Sequence, residues 1–342
     1  MSYRWSHPAS DPIVRRIPAD RPVYVVSDLH LGNGLRGDTF MGKDRELLRL
    51  VERAREEGAR LVIAGDAIDF LQAHDLTPVV KAHGKLLRAL SDMASEHDVI
   101  YICGNHDDDF RVYRDFFRFD VCSRLWIGDD VVVEHGHRFD PWIGPNVQGS
   151  NAIARFHHFV EQTFHVWIRL PIADFYNWGN RVAFWLFHKW AVTMQARNAL
   201  LKRVGLGALA RRSEEVIDYW VFNEAGDPMR MLGPAVAFAK QELARVVVCG
   251  HSHMPANFVK DGVRFVNTGS WTFGWAQYAR YAGGEFTVRD WITGREYRDD
   301  LYKPLLEGHL DHLTFDRWWR NQYLGWFRFR SGELRRRSGL AS

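Results

Sequence analysis

Tyr24-Val25-Val26-Ser27-Asp28-Leu29-His30-Leu31-Gly32-Asn33 decides how the rest of the chain is read. Its apolar run is too short for an ordinary helix and ends in Asp-x-His followed by glycine, so it predicts a buried strand. Asp28 and His30 then lie just past the strand's C-terminal end, where open α/β sheets place their sites. Residues two apart in an extended chain face the same side, so a carboxylate oxygen and an imidazole nitrogen can converge on one ion.

The pattern recurs downstream. Asp44 to Glu57 carries Leu47, Leu48, Leu50, Val51 and Ala54 on a helical period and is closed by Gly58. Leu61-Val62-Ile63-Ala64 runs into Gly65-Asp66-Ala67-Ile68-Asp69. A second helix, about Pro78 to Glu96, precedes Val99-Ile100-Tyr101-Ile102-Cys103, which runs into Gly104-Asn105-His106-Asp107. This alternation predicts a mainly parallel sheet. Residues 1–20, with Pro8, Pro12 and Pro18, read as an irregular lead-in. Val121–Ile127 and Val131-Val132-Val133-Glu134 read as a hairpin around Gly128-Asp129-Asp130, ending in His135-Gly136-His137-Arg138-Phe139-Asp140. From about Pro141 to Pro234 the pattern is helical and aromatic. Strands return at Val246-Val247-Val248-Cys249, leading into Gly250-His251-Ser252-His253, then at Phe258–Val266 and Glu285–Trp291.

Composition narrows the classes. The chain has 342 residues, 46% hydrophobic and 14% aromatic with 14 Trp, and a formal net charge of only +3, so no global nucleic-acid field is implied. Three cysteines, Cys103, Cys122 and Cys249, form an odd and sparse set and read as reduced core thiols of a cytosolic protein. The N-terminus lacks a basic-then-apolar signal pattern. The apolar run Val182–Met194 is interrupted by His188 and Lys189 and is too short to span a bilayer, so a soluble or peripheral protein is expected.

Asp28, His30, Asp66, Asn105, His135, His251 and His253 offer carboxylate, imidazole and amide oxygen without thiolate. That mix suits divalent Mn²⁺, Mg²⁺, Fe or Zn²⁺ and argues against a Cys-type structural zinc site. Seven ligands exceed the need of one tetrahedral ion; two ions about 3.5–4 Å apart, bridged by a carboxylate and a water, would use them all. Asp66, from the second strand, is the expected bridge.

Asp28-Leu29-His30, Gly65-Asp66-Ala67-Ile68-Asp69, Gly104-Asn105-His106-Asp107, His135-Gly136 and Gly250-His251-Ser252-His253, in this order, resemble the calcineurin-like metallophosphoesterases. The resemblance covers most of residues 20–140 and 245–275. It implies a two-sheet α/β sandwich (α-β-β-α) with a dinuclear centre at the strand ends, Mn²⁺ being the foremost metal. It also implies that His106 stabilises the transition state or protonates the leaving oxygen, and that Asp69 orients His106. Ser-Asp-Leu-His-Leu-Gly, Glu-His-Gly-x-x-Phe-Asp and Asn-Thr-Gly-Ser-Trp look like the branch containing UDP-2,3-diacylglucosamine pyrophosphohydrolase. The chain departs from that branch at His106, where arginine is usual, and at His137, where aspartate is usual.

The expected domains are a discontinuous core of residues 20–140 and 235–300, a helical cap of residues 141–234, and an aromatic, basic C-terminal segment of residues 301–342. The cap interleaves aromatics with Arg155, Arg169, Arg181, Lys189, Arg197, Lys202 and Arg203. This composition suits a phosphorylated lipid drawn from an anionic membrane more than nucleic acid. The expected reaction is hydrolysis of a phosphodiester or pyrophosphate in a lipid-linked substrate. The alternative is a phosphatase, nucleotide phosphodiesterase or nuclease acting on a soluble phosphorylated substrate. All seven ligand-type residues are present, which argues against a metal-free scaffold.

Overall fold

The computed structural model of the protein describes residues 13–34, 38–73, 75–96, 98–113, 117–140, 178–211, 214, 228–253, 255–272 and 275–297. In chain order its elements are β1 (Val14–Ile17), β2 (Val23–Val26), α1 (Asp44–Glu56), β3 (Arg60–Ala64), α2 (Phe70–Ala73), α3 (Leu76–Ala94), β4 (Val99–Ile102), β5 (Asp120–Cys122), β6 (Arg124–Ile127) and β7 (Val131–Val133). There follow α4 (Trp178–Arg203), α5 (Pro228–Gln241), β8 (Val246–Cys249), β9 (Ala256–Lys260), β10 (Val263–Asn267), β11 (Gln277–Ala282) and β12 (Glu285–Asp290). Of the expected cap, residues 141–177, 212–213 and 215–227 lie outside the described residues, as does the whole of 301–342.

Two six-stranded sheets form. The front sheet runs β12-β11-β2-β3-β4-β5 and the back sheet β1-β6-β7-β8-β10-β9. Strands β2, β3, β4 and β5 are mutually parallel, as are β7 and β8. The period of two in a strand explains why these apolar runs need no polar alternation. Val23, Val25, Val62, Ala64, Ile100 and Ile102 point inward to meet Leu125, Ile127, Val131, Val133, Val248 and Val266 of the back sheet. Their neighbours Tyr24, Val26, Leu61, Ile63, Val99 and Tyr101 point outward into a second core under α1 and α3. Val132 and Val247 point to the far side of the back sheet, against Met231, Leu232, Ala235 and Val236 of α5. The result is an α-β-β-α sandwich, the architecture implied by the motif order.

Local chemistry sets the helix bounds. Helix α1 buries Leu47, Leu50, Val51 and Ala54, and carries Asp44 and Glu46 in its first turn and Arg53 and Arg55 in its last, favourable at each dipole end. In α3 the Asp75 side chain accepts from Thr77 N at 2.7 Å as an N-cap.

Three strand expectations are corrected. The run Val121–Ile127 is not one strand: it divides at Ser123, its first part pairing with β4 in the front sheet and its second with β7 in the back sheet. Only the second part makes the expected hairpin. The run Phe258–Val266 is two antiparallel strands, turned at Asp261-Gly262. The lead-in includes a real strand, β1, whose parallel partner is β6.

Inside α3, His83 leaves helical geometry (φ −119°, ψ 20°) and is buried between two carboxylates. Its Nε2 lies 2.9 Å from Asp38 Oδ2 and its Nδ1 2.8 Å from Asp44 Oδ1. Asp38 in turn accepts from Gly34 N at 2.8 Å and Phe40 N at 2.9 Å, so this ion pair organises the chain leaving His30. Phe40 packs edge-on against His83, stacks on Trp271 and lies under the Lys43 ammonium. Burial alone would lower the His83 pKa, but the hydrogen bonds and charges of Asp38 and Asp44 outweigh it and raise it to about 9.

A group raised from about 6.5 when unfolded to about 9 when folded contributes stability fully below pH 6.5 and loses it as pH rises through 9. Melting curves of wild type and His83→Gln should therefore differ most at pH 6 and converge by about pH 10. A pH-independent gap would show that His83 is not held as an ion pair.

Candidate metal centre

All of the predicted site residues stand past the C-terminal ends of parallel strands. Asp28 and His30 follow β2, Asp66 and Asp69 follow β3, Asn105 and His106 follow β4, His135 follows β7, and His251 and His253 follow β8. The first three strands belong to the front sheet and the last two to the back sheet, so the site is assembled across the sandwich.

The backbone turns sharply to present these side chains. Asp28, His30, Asp66, His251 and His253 all take left-handed φ, between 47° and 66°. Such angles are uncommon outside glycine and cost energy unless the surroundings over-determine them. Here cross-loop hydrogen bonds do so: Asp28 N to Gly65 O at 3.0 Å, His30 N to Asp66 O at 2.9 Å, Trp271 N to Asp28 O at 3.0 Å and Gly250 N to His135 O at 2.8 Å. The loops also approach too closely for a side chain at several glycines. A Cβ at Gly104 would overlap the Asp66 carboxylate, and one at Gly250 would overlap Ser27 Oγ and the Asp28 carboxylate.

Each buried carboxylate is anchored by one oxygen. Asp28 is fully buried; its Oδ2 accepts from His251 N at 2.9 Å and from Ser27 Oγ, whose hydroxyl also meets Thr268 Oγ1 at 2.5 Å. Its Oδ1 is buried and has no hydrogen-bond partner among the described residues, 3.2 Å from His253 Nε2 and 4.0 Å from His30 Nε2. Asp66 repeats the design. Oδ1 accepts from His106 N at 2.9 Å, while Oδ2 faces His135 Nε2 at 3.2 Å, His30 Nε2 at 3.9 Å and His106 Nε2 at 4.0 Å.

The imidazoles are oriented in the same way. His135 Nδ1 donates to Ala64 O at 2.9 Å, which points Nε2 at Asp66 Oδ2 and, at 3.2 Å, at Asn105 Oδ1. His30 Nδ1 lies 3.3 Å from Asp69 Oδ2, and its Nε2 meets His253 Nε2 at only 3.3 Å. Lone-pair-bearing atoms converging at these distances, one of them orphaned, fit a cation. Asp28, His30 and His253 form one group of ligand atoms within 4.8 Å of one another, and Asp66, His135 and His251 form another. Asn105 Oδ1 adjoins the second group, and Asp66 Oδ2 lies between the two.

The buried carboxylates and imidazoles act strongly on one another's protonation. Burial lowers the His135 pKa, but the Asp66 charge and hydrogen bond outweigh it and raise it to about 10. His106 is raised to about 9 by Asp66 and Asp69 against the same burial effect. Burial would raise Asp66 and Asp69, yet the surrounding histidines hold both well below the carboxylate range. A bound cation would displace such protons, so metal uptake and proton release are coupled here.

His106 Nδ1 lies 3.2 Å from Asp69 Oδ1, so the expected pair is present in space. Asp69 does more than expected: its other oxygen braces His30.

Several neighbours escaped the sequence reading. Asp140 Oδ2 lies 3.2 Å from His251 Nε2 and holds that ring. Asp107 is fully buried and ties the loops together, accepting from Ala67 N at 2.7 Å, Gly104 N at 2.6 Å and Tyr101 Oη at 2.5 Å. Asn267 donates to Gly250 O at 2.7 Å and accepts from Gly269 N at 2.9 Å, fixing the loop before His251. Each belongs to a quoted motif, but motif membership does not say which atom holds which. His137 sits behind His135 with Nδ1 buried and without a hydrogen-bond partner among the described residues, and burial, followed by the neighbouring histidines, lowers its pKa to about 3. The three cysteines are buried thiols that form no disulfide, and burial raises the Cys249 pKa.

A two-sheet sandwich carrying carboxylates and imidazoles at its facing strand ends defines a metal-dependent hydrolase class. Residues 21–255 match the family described as calcineurin-like phosphoesterase, and the chain belongs to that family, whose members depend on a dinuclear metal centre. It is accordingly a phosphoester hydrolase. No curated protein matches by sequence. Similar solved structures include Yfce, a phosphoesterase from E. coli, at 15% identity over 81% of this chain and 97% of that one, with a TM-score of 0.38. A novel archaeal phosphodiesterase matches at 13% identity over 79% and 99%, with a TM-score of 0.34. A predicted phosphoesterase from Streptococcus pneumoniae matches at 15% over 79% and 88%, with a TM-score of 0.31. TM-scores this low carry no functional inference; membership rests on the match over residues 21–255.

Elemental analysis of freshly purified protein should give about two equivalents of divalent metal. Asp66→Ala should lose both ions, and Asp28→Ala chiefly the one beside His30 and His253. Full occupancy in Asp66→Ala would mean that Asp66 is not shared.

Proposed function

We propose that the protein hydrolyses a phosphodiester or pyrophosphate bond in a lipid-linked substrate such as UDP-2,3-diacylglucosamine, using two divalent ions held by Asp28, His30, Asp66, Asn105, His135, His251 and His253, with Mn²⁺ the foremost candidate. The orphaned Asp28 Oδ1 among imidazole nitrogens carries the metal-dependent part of this reading. When bound, such ions lower the pKa of a bridging water and neutralise phosphoryl oxygens.

The chain's own residues supply the rest. His106 stands at the rim, its side chain 26% exposed where those of Asp66 and Asp69 are almost sealed, so its Nε2 can reach a bound phosphoryl group. Asp69 accepts from Nδ1–H and stabilises the imidazolium form, so Nε2 also carries a proton that it can give to the leaving oxygen. Strand-end hydrogen bonds hold the ligand carboxylates still, so the site needs little reorganisation during reaction.

The lipid-linked substrate is supported by the Ser27–Gly32, Glu134–Asp140 and Asn267–Trp271 signatures and by the aromatic, basic composition of residues 141–234. Both ends of that insertion lie beside ligands, after His135 and before His251, so a cap rooted there would cover the site. Each substrate methylene buried under it would add roughly 0.8 kcal/mol to binding.

His106→Ala should keep its metal and lose roughly 10²–10⁴-fold in turnover. Asp69→Asn should lose turnover and also some metal, because it braces His30. At saturating metal the double variant should be no slower than the slower single one, and multiplicative losses would mean that the two do not act together. For the substrate, UDP-2,3-diacylglucosamine should be turned over with far higher kcat/KM than its deacylated analogue or a small chromogenic phosphodiester. Equal values for all three would remove the lipid-linked reading and favour a soluble substrate.

A further inference from the structure

We infer that the C-terminal tip of α4 is a docking surface for an anionic lipid bilayer. The fold leaves a set of aliphatic side chains in water at this tip. Leu200, Val204, Leu206 and Leu209 are 61%, 60%, 51% and 64% exposed, all within ten positions of one another. Scattered exposed leucines need no explanation, but a contiguous set at one tip does.

The tip is a folded structure rather than a fraying end. Gly205, at φ 79°, follows the last helical turn, with Gly205 N donating to Lys202 O at 3.2 Å and Leu206 N to Leu201 O at 2.8 Å. This is the paired bonding of a Schellman cap. A 3-10 turn over Gly207–Leu209 follows and is tied back by Arg197 Nη2 donating to Leu209 O at 3.4 Å and by a Lys202–Glu214 ion pair at 2.6 Å. The exposed leucines are thus presented on a closed hairpin whose own hydrogen bonds keep them there.

Charge selects the occupant. Residues 178–211 contain Arg181, Lys189, Arg197, Lys202, Arg203 and Arg211 and no Asp or Glu, and Glu214 beyond them is paired with Lys202, which leaves the tip cationic. Arg203 and Arg211 are exposed at the tip itself. A second copy of this chain would bring like charges together. A bilayer with anionic headgroups meets both features at once, taking the leucines into its interfacial zone and the guanidinium groups at its phosphates. No helix of the described residues is long and apolar enough to cross a membrane, so contact here is with the surface. None of its residues is among the metal-ligand candidates, and the contact does not depend on which substrate is hydrolysed, though a membrane-borne substrate would be found most readily by a protein held this way.

The test is co-sedimentation of the full chain with phosphatidylcholine vesicles, with and without phosphatidylglycerol. Wild type should pellet with the anionic vesicles and not with the neutral ones. Leu200→Glu/Leu209→Glu and, separately, Arg203→Glu/Arg211→Glu should each weaken that binding roughly tenfold or more. Both pairs are solvent-exposed, so melting temperatures should stay at the wild-type value, which shows that lost binding is not unfolding. Undiminished vesicle binding by both double variants would overturn the assignment. So would failure of wild type to bind, or light scattering showing that the leucine substitutions abolish a dimer instead. None of these readouts uses hydrolysis, so failure of the proposed substrate leaves the surface standing, and the reverse.

Discussion

The structure depends on keeping carboxylates ionised where water is almost absent. Asp28, Asp66 and Asp69 are at most 3% exposed, and an isolated buried carboxylate costs several kcal/mol even after relaxation. Asp28 and Asp66 are made tolerable by a division of labour between their oxygens, while Asp69 has an imidazole at each of its own. One oxygen of Asp28 and one of Asp66 accept backbone N–H groups, those of His251 and His106, and the other faces imidazole nitrogens. That second oxygen is what a cation would use. The left-handed φ values at Asp28, Asp66 and His251 follow from this demand, because only a sharp turn after a strand puts a backbone N–H and a side chain on opposite sides of one carboxylate.

The same demand explains the two sheets. A single parallel sheet offers one row of strand ends, and here β2, β3 and β4 supply Asp28, His30, Asp66, Asn105 and the His106–Asp69 pair. The remaining imidazoles come from β7 and β8, whose inward valines pack face to face with those of the front sheet. Contact between Val25 and Val62 on one side and Val133 and Val248 on the other therefore sets the distance across which His135 meets Asp66. Trp271 adds a link outside the ligand set. Its backbone holds Asp28, its ring stacks on Phe40, and Phe40 packs on His83. A buried ion pair in α3 is in this way connected to the metal-facing carboxylate of β2.

Much of this was legible because strand ends announce themselves. An apolar run followed by glycine and a polar ligand type marks both a strand and its C-terminal edge, so the positions at β2, β3, β4, β7 and β8 could be read before any geometry. What could not be read is partnership. The continuous run from Val121 to Ile127 looks like one strand because both of its halves are buried; nothing in it says that the chain changes sheets at Ser123. Asp140, Asp107 and Asn267 are ordinary turn residues by type, and only spatial neighbours reveal that they orient His251, the loop after β3 and the loop after β8. Strand β1 escaped because the prolines around it signal irregular chain, although its residues Val14 to Ile17 pair in register with β6.

A long segment, residues 141–227, separates two metal-facing histidines in the chain, His135 and His251. It leaves after the 3-10 turn that follows His135 and returns through α5, and both ends are fixed to the back sheet. Buried Arg124 of β6 donates to Glu134 at 2.6 Å and to Glu242 beyond α5 at 3.0 Å, while its guanidinium covers Phe238, which packs on Phe139. Glu134 directly precedes His135, and Phe139 follows it by four residues. The departing and returning chain are therefore clamped by one ion-pair and aromatic cluster, independent of whatever lies between. Breaking such a buried pair from one side leaves an uncompensated charge, commonly a loss of about 3–5 kcal/mol. That is the kind of anchor needed to insulate a metal-facing histidine from changes in the intervening residues. Residues 141–227 can then vary in sequence while the geometry around Asp66 and His135 stays constant, which is consistent with family motifs that persist here on either side of a segment of distinctive composition.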